Sequence, residues 1–397
     1  MNNSINKDRP MHIAFVTQVD LTGSSGQNLY SRAVATALAD HKRVQMTLIC
    51  PSPANDPVEP MERDDVTVRL IPEKSTRSVQ WHLKSQFPIL KSLYYTHKDA
   101  NLDGIVTTLK VSNIGPAAFS FLSQVPMILL VEGLLVENIK KINPFPGAPA
   151  LAQTVAMLNG AQSRHIFTAY EQAKDWMGNI PGVNPEKISV FHHGVNPDLF
   201  KPAPKAEARE KIPLNISGDE FVVGFVGSFK PYHCLEPLLR AVSELKNRGL
   251  NARLLLVGDG PKYDEMIELA SKLEISNITD FVGYIDQKLI PNYVCACDIL
   301  YGIIDPEHWG HPMKVYEYLS CGRPVIAYND SELLFIEENE IGLLVNKIST
   351  TAIADTLAKF SEYSSQTREK MGYTAREYIC THQTWDTYAD DIVNNFY

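Results

Sequence analysis

Residues 309–327 run Trp309-Gly310-His311-Pro312-Met313-Lys314-Val315-Tyr316-Glu317-Tyr318-Leu319-Ser320-Cys321-Gly322-Arg323-Pro324-Val325-Ile326-Ala327 and read as a loop, a short helix, a turn and a strand. Pro312 suits the first helical turn, where its missing N–H costs nothing. Cys321-Gly322 is a helix stop, and Arg323-Pro324 prevents continuation. Val325-Ile326-Ala327 then begins a buried strand. The helix start after Gly310 offers backbone N–H groups and a partial positive charge, which suit a phosphate. Lys314 and Glu317 lie three apart, so both face one side of the helix. A cation and a carboxylate beside such a helix end fit a nucleotide, phosphate on one and ribose hydroxyls on the other. A surface helix with one salt bridge has the same spacing, and such pairs are individually weak.

Outward from this stretch, strand and helix alternate. Residues 221–226 are a strand followed by Gly227-Ser228-Phe229-Lys230-Pro231-Tyr232-His233, and a helix covers 235–245. Residues 252–257 form a strand ending in Gly258-Asp259-Gly260-Pro261, and 278–282 lead to Gly283-Tyr284-Ile285. Strands over 299–304, 325–328 and 342–345 complete the second half. In the first half, strands over 11–16, 44–50, 66–71, 104–108, 127–131, 165–168 and 188–191 are separated by loops and helical patterns. The alternation implies an α/β protein with parallel sheets covered on both faces. Residues 201–218, polar and with prolines at 202, 204 and 213, read as the connection between two domains. Two such domains facing one another would enclose a cleft, a common ligand site.

Two further places carry chemistry. Thr22-Gly23-Ser24-Ser25-Gly26 joins the first strand to its helix, as in a Rossmann-like unit, and its glycines let the chain approach a ligand. It is not G-x-G-x-x-G, so no dinucleotide specificity follows, and a tight βα turn needs the same residues. Glu132 follows the strand at 127–131, and ligands of open α/β sheets bind beyond the carboxyl ends of strands. A solvated strand-end glutamate is the alternative.

The chain of 397 residues is long enough for two cores, and 44% apolar with 21% charged residues is ordinary for a globular protein. A net charge of −9 argues against a general nucleic-acid binder. The six cysteines show no C-x-x-C pair and no zinc-ligand spacing, which fits reduced thiols and a cytoplasmic setting. The N-terminus lacks a signal-peptide core, and no run approaches the roughly 20 apolar residues of a membrane span.

Residues 74–98 are unusual: Lys74, Arg77, Lys84, Lys91 and Lys98 occur there with no Asp or Glu. Leu83, Phe87, Leu90 and Tyr94 recur at helical spacing, flanked by Trp81 and Tyr95, and Pro88 should kink or split the helix. Apolar and basic positions on adjacent faces suit an anionic membrane surface, here the inner face. An amphipathic helix packed on the sheet accounts for the same pattern.

With these residues in view, the second half resembles the retaining family-4 glycosyltransferases, the glycosyl transferases group 1, nearly throughout. The landmarks are Phe225-Val226-Gly227-Ser228, Leu254-Leu255-Leu256-Val257-Gly258-Asp259-Gly260, Phe281-Val282-Gly283-Tyr284, Tyr293 with Cys297-Asp298, and Pro312-x-Lys314 with Glu317-Tyr318 and Gly322-x-Pro324-Val325-Ile326. His193-Gly194-Val195-Asn196 with Phe200 and Pro202 resembles the family's segment near the hinge, and Trp385 with Tyr388 resembles its final helix. The resemblance implies the GT-B fold: two Rossmann-like domains facing across a cleft. An acceptor-side domain would cover 1–200, with the helix at 383–397 packing back onto it, and a donor-binding domain would cover 201–382.

It also implies roles. The reaction would be retaining hexosyl transfer from a nucleotide-diphosphate sugar to a sugar, lipid-linked or small-molecule acceptor, with no metal and no cofactor. Lys230, Lys314 and His233, with backbone N–H groups near Gly26 and Met313, would meet the diphosphate. Ser228 and His233 stand where the family usually has Arg and Lys. Glu317 would hold the ribose, and the backbone at Ile285 the base. Glu132 falls where many members have a catalytic His. The glutamate usual eight positions before Glu317 is replaced by Trp309, with Glu307 two residues away; either is a candidate sugar contact. A nucleotide-sugar epimerase and a non-catalytic GT-B-like nucleotide-sugar-binding protein remain open alternatives.

Overall fold

The structure, a computed structural model, describes residues 9–23, 25–74, 79–142, 146–307 and 313–397. Arg77 and Trp309 therefore lie outside the described residues. The chain divides into two compact units: Met1–His193 with Trp385–Tyr397, and Gly194–Thr384.

The first unit is built on seven strands: β1 (Met11–Val16), β2 (Val44–Ser52), β3 (Thr67–Lys74), β4 (Gly104–Thr108), β5 (Met127–Val131), β6 (His165–Thr168) and β7 (Ile188–Val190). All pair in parallel, in the order β3-β2-β1-β4-β5-β6-β7. The sheet order reverses between β1 and β4, which sets a ligand crevice at their carboxyl ends. β1 is apolar but for His12, whose ring meets the Thr47 hydroxyl at 2.8 Å, because both its faces are covered. Met11, Ile13 and Phe15 enter one core cluster, Ala14 and Val16 the other. The C-terminal helix Trp385–Asn394 belongs to this unit. Its Tyr388 shares a 3.0 Å hydrogen bond with Tyr30 and stacks on Phe191 at 4.1 Å. Phe396 fills the space above Gly104, where a Cβ would lie 2.5 Å from its ring.

In the 74–98 segment, helices Val79–Lys84 and Gln86–Ala100 meet at Ser85, one turn before Pro88. That is where a proline ring obstructs the carbonyl four residues back. The side packed on the sheet is not the expected stripe. Trp81, Ile89 and Leu93 are buried, while Leu83, Phe87 and Tyr94 are exposed.

The second unit has six strands: β8 (Phe221–Val226), β9 (Ala252–Val257), β10 (Thr279–Gly283), β11 (Ile299–Tyr301), β12 (Val325–Tyr328) and β13 (Gly342–Val345). They too are parallel, in the order β10-β9-β8-β11-β12-β13, so the reversal lies between β8 and β11. The break between units falls at 193/194 and 384/385 instead of 200/201 and 382/383. Val195 and Phe200 are buried in the second unit's core, and Ser320 donates to the Phe200 carbonyl at 2.6 Å. Residues 201–218 are likewise folded into this unit instead of linking it. Their helix Lys205–Glu210 is held by Asp298, which accepts from Lys205 at 2.7 Å and from the buried Arg209 at 3.3 Å.

Candidate functional site

The carboxyl ends of β8, β9 and β10 are locked together through glycine. Gly227 donates to the Val257 carbonyl at 2.9 Å, Gly258 to the Gly283 carbonyl at 2.8 Å, and Phe229 to the Asp259 carbonyl at 2.9 Å. A Cβ on Gly258 (φ +124°) would lie 2.1 Å from the Gly227 oxygen, so backbone meets backbone with no room for a side chain. Tyr318, buried on the helix Met313–Ser320, fastens the end of β8. Its hydroxyl accepts from the Val226 N–H and donates to the Val226 carbonyl, both at 2.8 Å.

Lys314 enters this frame from the first turn of the same helix. Its ammonium lies 4.1 Å from the centre of the Phe225 ring, and a Cβ on Gly227 would come within 2.6 Å of it. It is 3.3 Å from Nδ1 and 3.2 Å from Nε2 of His233, a near-equal pair of distances that puts it over the imidazole face. Burial pulls the Lys314 amine down to about 7, with the charge of Glu317 opposing in part. Burial likewise pushes the Glu317 carboxyl up to about 7, with Lys314 opposing. The structure thus joins Lys314, His233, Gly227 and Glu317 at the β8/β11 reversal, where an α/β sheet takes its ligand.

The other candidates are more dispersed. Ser228 is half-buried beside Gly227, and its carbonyl accepts from the Lys230 N–H at 2.9 Å. Lys230 is exposed, its ammonium 5.8 Å from the Tyr232 ring centre. Met313 and Ile285 are half-buried, Ile285 just past β10 and beside the exposed Tyr284. Glu307 is exposed, its N–H bonded to Asp305 at 2.9 Å.

In the first unit, Gly26 opens the helix Gly26–Asp40, and a Cβ there would meet open space. The first-turn N–H groups are not all available to a phosphate, because Ser25 caps the helix and its side chain accepts from Asn28. Glu132 stands past the end of β5 and accepts from Lys110, past β4, at 3.2 Å. Sequence reading missed Lys110; its place just beyond a strand end was the available signal. Burial first, then Tyr388 and Glu132, hold the Tyr30 hydroxyl well above its ordinary value. Burial, helped by the Lys110 charge, takes His82 down to about 4. Among the described residues, no group of three or more His, Cys, Asp and Glu side chains is placed to hold a metal ion.

Comparison with known proteins meets this geometry. The chain covers 97% of itself and 98% of the sucrose-phosphate synthase of Thermosynechococcus elongatus at TM-score 0.72 and 18% identity. With Anabaena HepE in complex with UDP the values are 97%, 99%, 0.73 and 17%. Two parallel Rossmann-like halves of this kind define the GT-B fold. The family model of the glycosyl transferases group 1 matches residues 206–378, most of the second unit. A D-inositol 3-phosphate glycosyltransferase of Stackebrandtia nassauensis is 26% identical over 250 residues, 59% of this chain and 54% of that protein. The chain spans about half the length of the relatives it matches in this way.

Proposed function

We propose that this chain is a retaining glycosyltransferase that moves a hexosyl group from a nucleotide-diphosphate sugar to an acceptor hydroxyl. The observation that carries the reading is the Lys314 ammonium lodged against Gly227 at the end of β8. A cation desolvated at that point gains most from an anion that arrives and is charge-matched to it. In the transfer, the bond from the anomeric carbon to the diphosphate oxygen breaks and negative charge grows on the leaving group. Lys314, with His233 and the more exposed Lys230, stabilises that charge without a metal ion. Glu317, one turn along the helix, accepts from the ribose hydroxyls. The acceptor oxygen bonds to the anomeric carbon on the face the diphosphate leaves, and its proton passes to a leaving phosphate oxygen. Glu132 in the first unit orients the acceptor or donor sugar. HepE in complex with UDP, and the inositol-phosphate glycosyltransferase relative, support a uridine nucleotide and a small polyol or sugar acceptor.

The test is a thermal-shift screen over UDP, GDP, ADP and their sugars in the presence of EDTA. One diphosphate series should raise the melting temperature by mass action, by about 2.7 kcal/mol of stabilisation at a hundredfold excess over Kd. A flat response across the whole panel would overturn the reading.

A further inference from the structure

The first unit carries a face that nucleotide chemistry does not use. Helices Val79–Lys84 and Gln86–Ala100 bury Trp81, Ile89 and Leu93 against the sheet, yet their other side is not polar. Leu83 is 47% exposed, Phe87 73%, Tyr94 56% and Tyr95 42%. The adjacent helix Gly115–Ser123 adds Phe121 at 65% and Leu122 at 75%. The two longer helices lie side by side, with the His97 and Phe119 rings 5.8 Å apart and Gly115 close to the Gln86 carbonyl. Clusters of large exposed apolar side chains on one side of a unit mark an interaction surface.

The charges identify what the surface fits. Lys84, Lys91 and Lys98 are exposed on the same helices. Phe87, Lys91, Tyr94 and Lys98 follow the i, i+4, i+7, i+11 spacing of one helical face. The one acidic residue in the three helices is Asp99, and Arg69 pairs with it at 3.0 Å. This is a local reversal in a chain of net charge −9. A second copy docked face to face would set lysine against lysine, because a two-fold interface repeats the same patch on both sides. Rings and leucines flanked by long cationic side chains are what the boundary of an anionic bilayer takes: apolar groups at the acyl edge, ammonium groups at lipid phosphates.

We propose that this face docks the protein on an anionic lipid surface. No helix among the described residues is long and apolar enough to cross a membrane, so the contact is shallow, reversible and salt-sensitive. It needs neither donor nor acceptor, so its test is separate from that of the transfer reaction. The full chain should co-sediment with vesicles of phosphatidylcholine and phosphatidylglycerol and much less with phosphatidylcholine alone. Each of Lys84→Gln, Lys91→Gln and Lys98→Gln should weaken the partition about fivefold. Phe87→Ser and Leu122→Ser should each weaken it roughly tenfold, with the melting temperature unchanged because the side chains are exposed. Absent binding to anionic vesicles, or binding that survives the combined lysine and Phe87 changes, would overturn the proposal. So would a dimer, seen by light scattering, that dissociates on Phe87→Ser, for that would give the face to a second copy.

Discussion

Lys110 and Lys314 each stand at the carboxyl end of a unit's sheet, and the two meet opposite fates. Lys110 stands 3.2 Å from Glu132, with 12% and 10% of the two side chains exposed, so its charge is answered within the fold. Lys314 faces the Phe225 ring, the His233 imidazole and the Gly227 backbone, with the charge of Glu317 offsetting its burial only in part. Residue type and topological place are alike; the surroundings decide the role. An amine already paired orders a loop and orients its partner. An amine desolvated without a full counter-charge is receptive to an anion brought by a ligand.

The comparison breaks most completely if the frame around Lys314 is removed. Gly258→Ala should cost the second unit about 3 kcal/mol or more, measured by urea denaturation, because its Cβ would meet the Gly227 oxygen at 2.1 Å with φ at +124°. A loss under about 1 kcal/mol would mean that the two loops are not locked. Next in size is the lysine itself. Lys314→Ala should reduce turnover with the preferred donor at least roughly tenfold, the loss of one charge-assisted contact. Unchanged turnover would remove Lys314 from the reaction.

How much of this was legible before the structure follows from where the information sits. The strands β1, β5, β8 and β9 are largely apolar and largely buried, interrupted by the polar His12 in β1 and Arg253 in β9, so their limits could be read directly from the sequence. The Lys314/Glu317 pair was legible because helical periodicity puts positions three apart on one side. Phe225 and Gly227 around that amine were not, since they lie more than 80 residues away and meet it only through the β8/β11 reversal, and His233 was set beside it by the family resemblance alone. Which side of the basic helices is buried was not legible for a related reason. Ile89 and Leu93 and the exposed Phe87 and Tyr94 are all apolar, so periodicity shows two candidate faces and only the sheet chooses between them. The cap at Ser25 was hidden by length: one side chain three residues before Asn28 decides which N–H groups a ligand can reach.

The sign of the pH dependence sharpens the contrast further. Free Lys314 titrates near 7, and a bound diphosphate would favour its ammonium form and raise that value. Binding then takes up a proton above pH 7, so affinity for the nucleoside diphosphate should fall as pH rises from 7 to 9, by up to about tenfold per unit. Calorimetry in two buffers of different ionisation enthalpy would detect the proton. A flat profile for the wild type would show that the amine does not touch the phosphates, whereas Lys314→Met should be flat by design.

The smallest effect discriminates best, because its sign differs between the two lysines. Lys314→Met keeps an unbranched chain beside Phe225 and Gly227 and removes a desolvated amine. The folded-state value of Lys314 lies near 7, below the ordinary 10.5, so the unfolded chain binds the proton more tightly and folding is opposed below about pH 10.5. The penalty is fully present below pH 7 and fades as pH rises toward 10.5. The methionine variant should therefore gain about 1 kcal/mol near pH 7, less than the full penalty because Glu317 loses its partial counter-charge, and the gain should shrink by pH 9.5. Lys110→Met should do the reverse: it leaves Glu132 mostly buried without its cation, and the first unit should lose stability. Thermal melts of both variants at pH 7 and 9.5 give the two signs. A loss of stability in both would mean that Lys314, like Lys110, is already answered within the fold.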